Sequence, residues 1–159
     1  MEIKGGKTMK DGIKITGDVV IERRRKDGSV IDREELKNLI VNVGKERVAK
    51  LIAEGVGTGL TGFSYLAIGT GTTSANATDT SLETEVERES ATVAYEASYK
   101  VTFEKTFDFG TGDSYAITEA GIGDSASSTG DTLLDRFVFS AKNVDIDTDL
   151  YVKITITVS

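Results

Sequence analysis

Cysteine, histidine, proline and tryptophan are all absent from the 159 residues of this chain. Without thiols or imidazoles there can be no thiolate or imidazole zinc site, no cysteine nucleophile and no Ser-His-Asp triad, so most nucleophilic and metal-assisted hydrolytic schemes are excluded. The missing thiols leave the redox compartment open. Average proline usage would supply roughly eight prolines in a chain of this size. Turns must instead come from glycine, asparagine, aspartate and serine, and 17 glycines are present. Long apolar runs are missing too, since none approaches the roughly 20 residues that span a bilayer. The opening MEIKGGKTMKDG has lysines but no apolar stretch behind them, which argues against a secretory signal and for a polar arm over residues 1–12.

Charge is present but unevenly placed. Residues 1–54 carry 13 Lys/Arg against 10 Asp/Glu, residues 55–159 carry 6 against 16, and the whole chain has a formal net charge of −7. The acidic C-terminal part would repel nucleic acid, and neither a nucleic acid nor a membrane is expected as a partner. The run Arg23, Arg24, Arg25, Lys26 has no interleaved aromatics and adjoins Asp27 and Gly28. It reads as a solvated hairpin end that could serve as an assembly contact.

Residues 13–159 are long enough to bury one core, and they are read as a single domain. IKITGDVVIERRRKDGSVI holds two β-prone runs around Asp27 and Gly28, a pair suited to the positive-φ positions of a type I′ hairpin turn. Further on, Leu39, Ile40 and Val41 end a strand and Asn42 is placed to cap a helix over about residues 43–54. Val48, Leu51 and Ile52 recur at i, i+3 and i+4 on that helix, with Gly55 as its terminator. From residue 91 to 109 apolar and polar residues alternate, with Phe103, Phe107 and Phe109 on the inward parity and Lys105 breaking it. At about 3.4 Å per residue this run is too long for one strand, so a break is expected near Ala97 and Ser98. At the C-terminus Val152, Ile154, Ile156 and Val158 alternate with Tyr151, Lys153, Thr155 and Thr157 as a half-buried strand. SYAITEAGIGDS and LLDRFVFSAKN add two strands around the turn SASSTGD. The fold class is mainly β: an antiparallel β-sandwich of about seven or eight strands with one short helix.

Three motifs carry possible chemistry. In YLAIGTGTTS the glycines follow a strand, but no lysine follows for a Walker loop and position 74 is serine where a dinucleotide fingerprint needs its third glycine. Gly69 and Gly71 are therefore read, like Gly28, as structural turns where a side chain would clash. Asp145, Asp147 and Asp149 alternate as in a calcium loop, yet Leu150 stands where an EF-hand needs glycine. The three are the candidate metal ligands, against a plain polar turn. Among the glutamates, Glu119 alone lies within an apolar stretch, where it would cap a turn or pair with an arginine such as Arg136. No catalytic residue and no cofactor is assigned.

NLIVNVGKERVAKLI, YLAIGTGTTSANATDTSLETEVER, AITEAGIGDS, LLDRFVFSAKN and the closing alternating strand together resemble a group of small structural proteins of tailed bacteriophages and prophages, over about residues 36–159. The resemblance implies a non-enzymatic virion component assembled in the host cytoplasm. Its partners would be copies of itself, in three-fold or higher symmetry, and neighbouring virion proteins. A tail-fibre or baseplate accessory is the leading position, and a capsid-surface decoration protein the alternative. From another class, a β-sandwich module that binds host-surface glycans would require exposed aromatics on one flat face.

Overall fold

The computed structural model describes residues 12–54 and 60–159. The expected arm, apart from Gly12, and the terminator Gly55 lie outside the described residues. In chain order the elements are β1 (Ile15–Arg25), β2 (Val30–Lys37), β3 (Leu39–Ile40), α1 (Asn42–Glu54), β4 (Tyr65–Gly69), β5 (Glu85–Ser90), β6 (Thr92–Glu96), β7 (Lys100–Phe107), β8 (Ser114–Gly123), β9 (Leu133–Asp145) and β10 (Thr148–Val158). They form two antiparallel five-stranded sheets, β2-β1-β10-β7-β6 and β3-β9-β8-β4-β5, packed as a sandwich.

The period-two pattern explains the core. On β10, Val152, Ile154 and Ile156 are buried while Tyr151, Lys153, Thr155 and Thr157 face outward. They meet Leu66, Ile68, Ile117, Ile122 and Phe137 of the second sheet, together with Phe103, Phe107 and Phe109. Full burial of one such side chain stabilises by about 1.5–3 kcal/mol, so this layer supplies the main driving force.

The two flanks of the sandwich are closed differently. On one, Lys142 of β9 reaches Glu34 of β2 at 2.9 Å, and Arg23 of β1 donates to the carbonyl of Asn143 at 3.1 Å. On the other, the chain itself crosses between sheets, passing from β5 to β6 through Ala91.

The outer face of the second sheet is covered as well. Residues 70–84, between β4 and β5, lie over it, and Leu82 joins Val41, Ala67 and Leu133 in a second small core. The start of α1 packs beside this, and Gly44 permits it. A Cβ there would lie 2.5 Å from the carbonyl oxygen of Leu134.

Several sequence expectations need correction. Ten strands occur among the described residues where about seven or eight were expected, one of them EVERES, an edge strand without alternation, and the 91–109 run divides. That break falls at residues 97–99, as expected. Val93, Tyr95 and Tyr99 share the inward parity yet are exposed, because alternation fixes the side of a sheet without guaranteeing a layer opposite it. The hairpin between β1 and β2 is a three-residue loop, with Gly28 at φ +85° and Asp27 outside the positive-φ set, so it is not type I′. Gly28 donates to the Arg25 carbonyl and Arg25 to the Ser29 carbonyl, the pattern of a turn closed by one left-handed residue. In α1, Lys45 donates to the Val41 carbonyl, so Asn42 occupies the first turn and does not cap it. Ile52, expected on the buried stripe, is 72% exposed.

Candidate functional site

The glycine loop is an anion cradle, and the chain fills it with its own carboxylate. Glu119 projects from β8 beneath residues 70–84 and is completely buried. One carboxylate oxygen accepts from the backbone N–H of Gly71 at 3.0 Å and of Thr84 at 2.7 Å. The other accepts from the N–H of Glu83 at 3.0 Å and from Arg136 Nε at 2.9 Å. A carboxylate has about four lone-pair positions, so none is left over for a substrate proton. Gly69 and Gly71 are required by this arrangement, since a Cβ would stand 2.6 and 2.5 Å, respectively, from Glu119 Oε1. Neither has a positive φ, so the need is for space and not for unusual backbone.

Arg136 completes the node. Its Nη1 donates to Asp79 at 2.9 Å and its Nη2 to the Thr73 carbonyl at 3.0 Å, with Glu83 at 3.4 Å. One guanidinium thus pins both limbs of residues 70–84 to the sheet. The two roles offered for Glu119 from sequence, capping a turn and pairing with Arg136, both occur. The depression above Arg136, lined by Thr73, Thr78, Asp79 and Glu83, presents carboxylates already engaged by that guanidinium.

A second buried carboxyl escaped the sequence reading. Asp135 lies on β9 facing the sandwich interior, fully buried, where it accepts from the Ile122 N–H at 2.7 Å and from the Asn38 amide. Burial pushes its pKa up to about 7. The signal was available, because Asp135 sits in LLDRFVF as Glu119 sits in AITEAGI.

The basic run is largely neutralised by the chain itself. Arg23 pairs with Asp32 at 2.5 Å, Arg24 with Glu22 at 2.6 Å while stacking 3.7 Å over the Tyr151 ring, and Lys26 with Asp149 at 2.5 Å and with Asp108. Arg25 forms no salt bridge among the described residues; it reaches Ser29 Oγ at 3.3 Å, and hydrogen bonds from Ser29 together with the Arg25 charge hold the Asp27 carboxyl below the usual range. Burial works against the charge of Glu22, yet Arg24 and Arg33 hold its carboxyl below the usual range.

The aspartates 145, 147 and 149 form a turn rather than a cage. Asp145 accepts from the Asp147 N–H and the Thr148 hydroxyl, both at 3.0 Å, while Asp149 points to Lys26. No group of three or more acidic side chains placed to hold a metal ion occurs among the described residues. Likewise, no described helix is long and apolar enough to cross a membrane.

What remains conspicuous is apolar. β6 is exposed at every residue, with Val93 at 42% and Tyr95 at 75%, and Tyr99 at the adjoining tip is 74% exposed. Ser98 and Tyr99 there have φ of 69° and 63°. Sequence parity missed this surface because it assigned these residues to the core.

No protein-family model, curated protein or solved structure matches the chain.

Proposed function

We propose that this chain is a non-enzymatic structural protein of a tailed-phage virion, a tail-fibre or baseplate accessory that works by protein-protein attachment. The observation that carries this reading is where the resembling stretches fall. NLIVNVGKERVAKLI becomes β3 and α1, YLAIGTGTTSANATDTSLETEVER becomes β4, its cover and β5, and AITEAGIGDS and LLDRFVFSAKN lie in β8 and β9. These four supply the second sheet, its cover and the helix beside it, tied at Glu119 and Arg136, while the closing alternating strand of the resemblance is β10 in the first sheet. Most of the stretches scattered over the sequence therefore make one physical unit, a frame whose buried Glu119 and Arg136 are engaged within the chain. Its chemistry supports the architecture and leaves attachment to the exposed edges.

The test is peptide mass spectrometry of purified particles from cells carrying the gene, with electron microscopy of labelled particles to place the chain. The expected result is a stoichiometric component of the tail. Label on the capsid surface would favour decoration instead, and absence from otherwise complete particles would overturn the reading. The exposed Tyr95 and Tyr99 favour glycan binding as a second reading, and a glycan array with the purified chain checks it.

A further inference from the structure

Every open sheet invites pairing at its edge strands, and proteins usually blunt them with charge, brevity, proline or a bulge. Three of the four edges here are blunted. β2 reads VIDREELK, β5 reads EVERES, and β3 has only two residues. The fourth edge, β6, reads TVAYE, with no charge before its last residue and no side chain buried.

We infer that β6 is the self-association surface of this protein, pairing antiparallel with β6 of a second copy across a two-fold axis at Ala94. The sequence is self-complementary in that register. Val93 faces the partner's Tyr95, a β-branched and aromatic pair of the kind that stabilises antiparallel ladders, and Thr92 faces the partner's Glu96, so no like charges are opposed. Val93 pairs with Phe103 and Tyr95 with Val101 within the chain, so both point to the core-facing side of the first sheet. Their exposure means that the second sheet leaves this end uncovered, and a second copy would extend the first sheet to ten strands and bring its own apolar side chains to the same place. The positive φ of Ser98 and Tyr99 holds the hairpin tip in a conformation that non-glycine residues rarely adopt, beside the same strand.

This deepens the assembly reading above and rests on it for the reason a copy needs a partner, though it specifies a two-fold pair where the resemblance implied three-fold or higher symmetry. The experiment is sedimentation equilibrium on the full purified chain up to about 100 µM. Wild type should approach twice the monomer mass of 17.0 kDa. Val93→Lys with Tyr95→Lys puts like charges face to face across the axis and should return the monomer mass. Val93→Glu with Tyr95→Lys puts opposite charges there and should restore the pair. Circular dichroism melts check that both variants fold. Should either fail to fold, amide hydrogen exchange on wild type decides, since residues 92–96 must slow as concentration rises. A wild-type monomer throughout, an association indifferent to the like-charge pair, or capture of a different particle protein by this edge without self-pairing would each overturn the inference. Because this is read on the isolated chain, monomers that still enter particles would defeat the inference alone, and dimers absent from particles would defeat only the virion reading.

Discussion

The outer face of the second sheet and the free edge of the first break the ordinary rule of burial in opposite senses. Beneath residues 70–84 a glutamate and an arginine are buried, Glu119 fully and Arg136 at 2% exposure. On β6 and its tip, a valine and two tyrosines are left in solvent. The first departure is compensated within the chain, because every lone pair of Glu119 finds a donor. The second has no internal compensation, and exposed apolar area on a strained hairpin adds little to the stability of the monomer. Frame and proposed attachment surface are thus separated, one set by internal satisfaction and the other by what it leaves open.

The largest effect should come from unbalancing the node. Arg136→Met removes the counter-charge and leaves a carboxylate buried among three backbone donors, and breaking such a pair from one side typically costs about 3–5 kcal/mol. Glu119→Gln keeps the shape but turns an acceptor into an NH₂ facing donors, and should cost nearly as much. The double variant should lose clearly less than the sum, because it strands no charge. Urea unfolding of the three variants checks this. A loss below about 1 kcal/mol for Arg136→Met would mean that the lid is not held by this guanidinium.

The next effect is a slope with pH. The folded-state pKa of Asp135 lies at about 7, above an ordinary aspartate, so between about pH 4 and 7 the native state holds a proton that the unfolded chain has released. Its contribution to stability therefore falls as pH rises through that window and is flat above it, by at most about 1.4 kcal/mol per unit. Glu87, raised to about 7 by burial and by Glu89, and Asp131, raised by burial, act in the same direction. The difference between wild type and Asp135→Asn isolates the one group. Thermal melts from pH 4 to 8 should show the variant less sensitive to rising pH, whereas a parallel pair of curves would remove Asp135 as the cause.

How far these regions were legible follows from what local patterns encode. The strand at 150–158 was clear because both its faces have a fixed environment, and the Glu119 to Arg136 pairing was foreseeable because a lone acid in AITEAGI demands a partner. Asp135 satisfies the same test and could have been found by it. β6 could not, since Val93 and Tyr95 continue the alternation of Phe103 and Phe107, and only the extent of the opposite sheet shows that nothing covers them. The turns misled for a related reason. Asp27 and Gly28 favour a type I′ turn, but the ladder closes with Lys26 in the loop, while consecutive positive φ values occur at Ser98 and Tyr99, where no glycine signals them.

That tip offers a smaller test. Ser98→Asn with Tyr99→Gly supplies residues suited to positive φ, and the monomer should gain about 1–2 kcal/mol in urea unfolding. If the variant is less stable, Tyr99 makes contacts that outweigh the backbone strain, and the tip belongs with the frame rather than with the attachment edge.

The smallest effect concerns the basic hairpin, and it asks whether attachment also uses charge. Lys26 bridges Asp108 and Asp149, which hold its ammonium above the usual lysine range, while Arg25 forms no salt bridge among the described residues. Exposed pairs contribute little, so Lys26→Ser should lower the melting temperature by about 2 °C at low salt and by less at 1 M, and Arg25→Ser by almost nothing. If assembly into particles or oligomers weakens steeply as salt rises, the hairpin cations cannot be the full source, because Arg23, Arg24 and Lys26 already face carboxylates of their own chain. Arg25→Ser would then be the variant to reduce that salt dependence. An association that is indifferent both to salt and to Arg25→Ser would place attachment on apolar pairing, the property that distinguishes β6 from the other edges.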